Sequence, residues 1–195
     1  MKQHDEKYKT IIGFLIVALL LGIIEQKECY AEKTKKYEKR ITVKPHQAIT
    51  IANFAHSELM IKYHDKPEIF YSLTVRIQSN DEDNETEFID SVYIRDRSSE
   101  KEIVVQMIDR APNNEKTDVK IFGIDFGDEF LKSCKGEIYV PQSSWINIGI
   151  RSTKLTIDDI IQELKIIGES NTIIAKNCKN IKTVVNKNGT TRLYS

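Results

Sequence analysis

Few side chains in this 195-residue chain are spaced for chemistry. The histidines are His4, His46, His56 and His64, and no cysteine stands near the His56/His64 pair, so the ligand spacing of a transition-metal site is absent. Carboxylates gather in two places, Asp81-Glu82-Asp83-Asn84-Glu85 and the group Asp125, Asp128 and Glu129. The first could attract calcium, which takes several carboxylate oxygens, and the second could serve as an acid/base pair. Both read as solvated acids in loops, because an acid/base pair also needs a cleft that raises one pKa. No Gly-x-Ser-x-Gly elbow, phosphate loop or Cys/His nucleophile pairing occurs. The expectation is no catalytic residue, no cofactor and no metal.

Aromatic side chains offer a different chemistry, stacking on a sugar ring. Trp145, the only tryptophan, and Tyr139 are the candidate ligand contacts, with Tyr63, Tyr71 and Tyr93 as further rings. Opening a repeat close to Pro141, Trp145 is expected first of all to anchor the end of a core, since a large ring contributes mainly buried area. Cys134 and Cys178 read as small buried hydrophobes, and an oxidising destination would let them pair.

A nine-residue beat from Trp145 to Gly189 has to position these groups. Its second position reads Ile146, Leu155, Leu164, Ile173, Lys182 and its fourth Ile148, Ile157, Ile166, Ala175, Val184. Residues that tolerate tight bends recur at the sixth position (Ile150, Asp159, Gly168, Asn177, Asn186) and the ninth (Thr153, Gln162, Asn171, Asn180, Gly189). Each unit is a short strand plus a corner, and fixed nonapeptide periods are a mark of β-solenoids. Lys182 breaks the inward row, which predicts a slip of one residue in the last rung. The calcium-binding Gly-Gly-x-Gly-x-Asp corner is absent, so stacked asparagines bonded to one another are expected at the corners. The outward positions Asn147, Thr156, Lys165, Ile174 and Thr183 form none of the acidic or basic rows that cleavage of a polysaccharide requires.

Upstream, alternating runs predict longer, less regular strands: 41–43, 49–51, 59–63, 73–77, 91–94, 103–107, 119–122 and 137–140. They would cap one end of the stack. An antiparallel β-sandwich is the structural alternative, since strands at 8 to 12 residue spacing are its signature too. Residues 32–40 are charged and lack an apolar period, so they read as a linker, with the single domain spanning 41–195. Before them, Ile11–Ile24 is an unbroken apolar stretch of fourteen residues, short against the roughly 20 of a membrane-spanning helix. Residues 1–31 therefore read as a signal peptide with a site at Cys29-Tyr30-Ala31, or as an uncleaved membrane anchor, to which Glu25, Lys27 and Glu28 lend weight.

The 29 basic and 29 acidic residues balance, and removing residues 1–31 leaves the balance at zero. Nucleic acid is not an expected partner, because affinity for phosphates comes from surplus Lys and Arg.

At Gly136-Glu137-Ile138-Tyr139-Val140-Pro141, followed by the repeats and by Asn186-Lys187-Asn188-Gly189-Thr190-Thr191-Arg192-Leu193-Tyr194-Ser195, the chain resembles the bacterial "putative adhesin" family of exported domains. The resemblance spans Ile41–Ser195 and is better from Gly136 onward. The chain departs from the family pattern at Trp145, at Lys182, and in using Asn and Asp more than Gly at corners. The resemblance implies an extracytoplasmic right-handed β-solenoid and brings no catalytic residues. Together the readings predict an exported cell-envelope protein, periplasmic, surface-bound or secreted, with a structural, adhesive or binding role toward a glycan or a cell-surface protein. The alternatives are an accessory of an envelope-sensing system tethered in the inner membrane through residues 11–24, and a carbohydrate-active enzyme.

Overall fold

The computed structural model describes residues 31–79, 89–110, 120–121, 124–125 and 130–194. The apolar segment at 11–24, the acidic run at 81–85, and Asp128 and Glu129 lie outside them. The described chain is all-β without a helix: β1 (Ala31–Thr42), β2 (Ala48–Ala55), β3 (Glu58–His64), β4 (Glu68–Ser79), β5 (Val92–Ser98), β6 (Glu102–Asp109), β7 (Lys120–Ile121), β8 (Ile124–Asp125), β9 (Phe130–Pro141), β10 (Ile146–Arg151), β11 (Lys154–Asp158), β12 (Leu164–Glu169), β13 (Thr172–Lys176), β14 (Ile181–Lys187) and β15 (Thr190–Tyr194).

They form two mixed, open sheets and a small β7–β8 hairpin. Sheet A runs β1-β4-β9-β3-β11-β13-β15, and sheet B runs β14-β12-β10-β2-β6-β5. Pairing is parallel from β9 through β15 in sheet A and from β14 through β6 in sheet B, and antiparallel at β1/β4, β4/β9 and β5/β6.

Each nine-residue repeat is one strand, and successive repeats alternate between the sheets. Stacked partners are therefore eighteen residues apart, Ile146 with Leu164 and Leu155 with Ile173. The two apolar positions point into one core: Ile146, Leu155, Leu164, Ile173, Ile157 and Ile166 are all fully buried. Ile49, Ile51, Leu59, Ile61, Ile69, Leu73, Ile103 and Ile138 complete it. Fully burying each such side chain contributes about 1.5–3 kcal/mol. In β2, Asn53 takes φ 60° where the register against β10 shifts, and this extra residue turns the buried Phe54 inward.

The corners are more selective than the beat implies. Left-handed residues recur at His56, Ser152, Ser170 and Asn188 on one side and at Asp159 and Asn177 on the other. The sixth repeat position bends only in the even repeats, whereas Ile150, Gly168 and Asn186 lie within strands. Lys182 is the extra residue of a bulge, because Ile181 pairs with Leu164 and Thr183 with Lys165. The expected slip in the last rung is present.

Residues 32–40, read from sequence as a linker, are the middle of β1, which pairs with β4 along its whole length. A charged edge strand needs only an inward row, and Tyr37 and Ile41 supply it by packing on the core. The order of rungs also departs from chain order. β2 lies between β6 and β10, and β3 between β9 and β11, so the first rung built sits inside the stack.

Candidate functional site

The outer face of sheet A carries a dense group of aromatic and charged side chains. Tyr139 points outward because its neighbours Ile138 and Val140 are buried. Register then places Arg40, Phe70, Tyr139, Lys62, Asp158, Lys176 and Tyr194 in a single row across the sheet. The Phe70 ring stacks beside Tyr139 at 5.9 Å and 28°, and His64 tilts against it at 6.0 Å. Arg40 lies 4.4 Å over the Phe70 ring and pairs with Glu68, whose carbonyl accepts from His64 Nε2 at 2.6 Å. Lys62 Nζ sits 5.8 Å from the Tyr139 centroid and 3.1 Å from Glu137 Oε1.

The Tyr139 hydroxyl donates to Glu137 Oε2 at 2.6 Å. That bond and the one from Lys62 hold the Glu137 carboxyl below its ordinary range. The same carboxylate holds the Tyr139 phenol and the Lys62 ammonium above theirs. Glu137 is thus ionised at neutral pH and a poor general acid, while its lone pairs and the Lys62 protons remain at the surface as acceptors and donors. Nearby, Glu58 lies between Lys135 and Lys154 at 3.1 and 2.8 Å, which lowers its pKa likewise. Flat rings rimmed by fixed charges can stack on a sugar ring or an apolar side chain and fix its orientation with hydrogen bonds.

Of the two ligand contacts expected from sequence, Tyr139 stands at the centre of this group. Trp145 does not join it: Trp145 lies in the turn before β10, 55% exposed, with its carbonyl accepting from Ile49 N. It is no core anchor. The tight turn after Pro141 places it off the strand, where no inward position exists for it. His56 occupies a left-handed corner and His64 the end of β3, so the pair is not brought together. Cys134 and Cys178 are both free, and burial pushes the Cys134 thiol up to about 12. Among the described residues, no three His, Cys, Asp or Glu side chains converge as metal ligands. Arg40, Phe70, Lys62, His64 and Glu137 were missed in the sequence. Their assembly depends on β9 entering between β3 and β4, and no local pattern announces that.

Of the asparagines expected to stack, Asn171 at a corner and Asn186 within β14 bond to one another, while Asn177 donates to Asp159 instead. Asn171, 1% exposed, accepts from Thr153 N at 2.9 Å and donates through Nδ2 to Ile150 O and to Asn186 Oδ1. Asn186 Nδ2 in turn donates to the Asn171 and Thr190 carbonyls. Gly168 and Gly189 make room for it, since a Cβ at either would lie 2.3 Å from an asparagine side-chain atom.

No protein-family model matches the chain, and no curated protein matches it. Two solved structures are similar in part. One is described as a putative cell adhesion protein from Clostridium sporogenes, at 14% identity and TM-score 0.45, covering 78% of this chain and 66% of that one. The other is described as a putative adhesin from Bacteroides fragilis, at 10% identity and TM-score 0.24, covering 84% of this chain and 96% of that one. The chain spans just under two thirds of the length of the first. At these values neither likeness carries a function across. No helix among the described residues is long and apolar enough to cross a membrane.

Proposed function

We propose that this chain is an exported, envelope-associated binding domain without catalytic activity, and that it grips a glycan or a cell-surface protein with the outer face of sheet A. The observation that carries the reading is the Phe70–Tyr139 stack with Lys62, Glu137 and Arg40 around it, an apolar platform with fixed polar groups and no cleft-bound acid. The fold assigned to it is a short right-handed β-solenoid. Parallel ladders of eighteen-residue spacing and corner residues in register support that assignment, while the antiparallel strands at one end are what the sandwich alternative would extend. Trp145 is a second, separate ring at the surface.

The experiment is a glycan array and surface-protein pull-down with the wild type, Tyr139→Ala and Phe70→Ala. Loss of about 1–3 kcal/mol of binding in both variants, with the fold retained, is the expected result for stacking contacts. Unchanged binding in both would remove the face from consideration. Intact mass and fractionation test the export half of the reading: a chain beginning at Glu32 outside the cytoplasm supports a free domain, and a full-length chain held in the inner membrane favours the tethered sensing accessory. Hydrolysis of any bound glycan would bring back the enzyme reading.

A further inference from the structure

The two ends of the stack are finished differently. At the β1/β5 end, side chains bridge the sheets: Lys35 meets Asp90 at 2.6 Å, Lys39 and the Tyr71 hydroxyl meet Asp96 at 2.8 and 3.1 Å, and Tyr37 donates to Val92 O. β1 itself carries five basic and two acidic residues, the usual way of blunting an edge. At the β14/β15 end, among the described residues, no strand pairs the outer edge of either sheet. Val185, Leu193 and Tyr194 are half exposed or more there, and β15 holds one charge, Arg192.

In β15, the bonds from Thr190 N to Asn171 O and from Asn177 N to Tyr194 O fix which backbone groups face β13. By the alternation of a parallel ladder, those of Thr191 and Leu193 face away. The last rung, together with the end of β13 and the corner between them, has a charge surplus inside a neutral chain. From Lys176 to Tyr194 there are five basic residues, Lys176, Lys179, Lys182, Lys187 and Arg192, and no acidic one. All five are exposed, and none makes an ion pair among the described residues. The nearest acids belong to the neighbouring layer: Glu169 on β12 is the register partner of Lys187, Asp158 on β11 that of Lys176, and Asp159 accepts from Asn177 at 3.0 Å.

We propose that the free edge of this last rung docks an extended acidic segment of a partner protein as an added strand. Open main-chain donors and acceptors give such a segment its hydrogen bonds, the exposed Leu193 of β15 gives it apolar contact, and the basic side chains select for Asp and Glu. A second copy is disfavoured by the same charges, because end-to-end pairing would bring these five bases toward those of the other copy. This edge is distinct from the face of sheet A and does not depend on its role.

The test uses the full chain and synthetic nine-residue peptides alternating Glu with Val and Thr, read by fluorescence anisotropy. The acidic peptide binds, its lysine counterpart does not, and N-methylation of alternate amides weakens binding by about tenfold or more. Leu193→Pro, which removes an outward N–H without touching the β13 ladder, weakens it about tenfold as well. The double variant Lys187→Glu and Arg192→Glu switches preference to the lysine peptide, and it covers the case in which the proline variant fails to fold. Equal binding of the N-methylated peptide or of poly-glutamate would overturn the proposal in favour of simple attraction to an anionic polymer. Self-association of the free chain, or slow amide exchange at Thr191 and Leu193 without peptide, would overturn it by showing the edge already covered.

Discussion

Asn171 is a buried polar side chain whose hydrogen-bonding groups tie three stacked layers of one corner together. Asn171→Ala leaves Thr153 N and the Ile150 carbonyl without those partners, and is expected to lower unfolding free energy by about 2–3 kcal/mol in chemical denaturation, with an unchanged m-value. Gly168→Ala drives a Cβ into the Asn171 amide and the Ile150 carbonyl, each 2.3 Å away, and should cost about 1–3 kcal/mol in the same assay. On the sheet A face, Glu137 has a folded-state pKa below its unfolded value. Its contribution is therefore present above the unfolded value and lost as pH falls through the folded one. Lys62 and Tyr139, both raised, contribute below their unfolded values and lose that contribution as pH rises through the folded ones. In Tyr139→Phe, an NMR titration should show the Glu137 midpoint move up toward the ordinary carboxylate range, and an unmoved midpoint would mean the hydroxyl bond does not form in solution. At this scale the sequence spoke clearly for Asn171, because a polar residue in a bend of a repeat has few other uses. It spoke wrongly for Trp145, whose size argued for burial while its turn left it outside.

Strands and corners show why the period was readable and its phase was not. An inward pair every nine residues is imposed by burial on two facing sheets, so Ile146/Ile148 through Ile173/Ala175 could be listed from sequence alone. Which residue of each corner turns left-handed depends on how the chain crosses from one sheet to the other, and the two crossings differ. One uses Ser152, Ser170 and Asn188, the other Asp159 and Asn177. Non-glycine residues in that conformation are held at a cost of about 1–2 kcal/mol, least for Asn and Asp. Ser170→Gly should accordingly stabilise the chain by about 0.5–1 kcal/mol, and Ser170→Val should destabilise it by more than that, both measured by thermal unfolding. The β1 strand was hidden at this scale because an edge strand needs only half of its residues to meet the core, and its charges mask the alternation.

Across the whole molecule, the layer laid down first by the chain, β2 with β3, ends in the middle of both sheets. Its amides should therefore exchange most slowly, together with those of β10, and those of β14 and β15 fastest, as read by hydrogen exchange. Truncation after residue 180 removes only the terminal rung and should leave a cooperatively folding remainder. Deletion of 48–64 should abolish folding, because it separates β6 and β9 from β10 and β11. The sequence by itself determined the all-β class, the apolar rows, the Asn171–Asn186 contact and the slip at Lys182, since each follows from local alternation and burial that neighbours along the chain impose. Only the tertiary structure decided that β9 enters between β3 and β4, that Phe70 and Arg40 thereby meet Tyr139, and that side chains bridge the sheets at the β1/β5 end. Those features arise from pairings between strands distant in the chain, which depend on the loops that carry the chain from one layer to the next, and side-chain periodicity holds no record of that order.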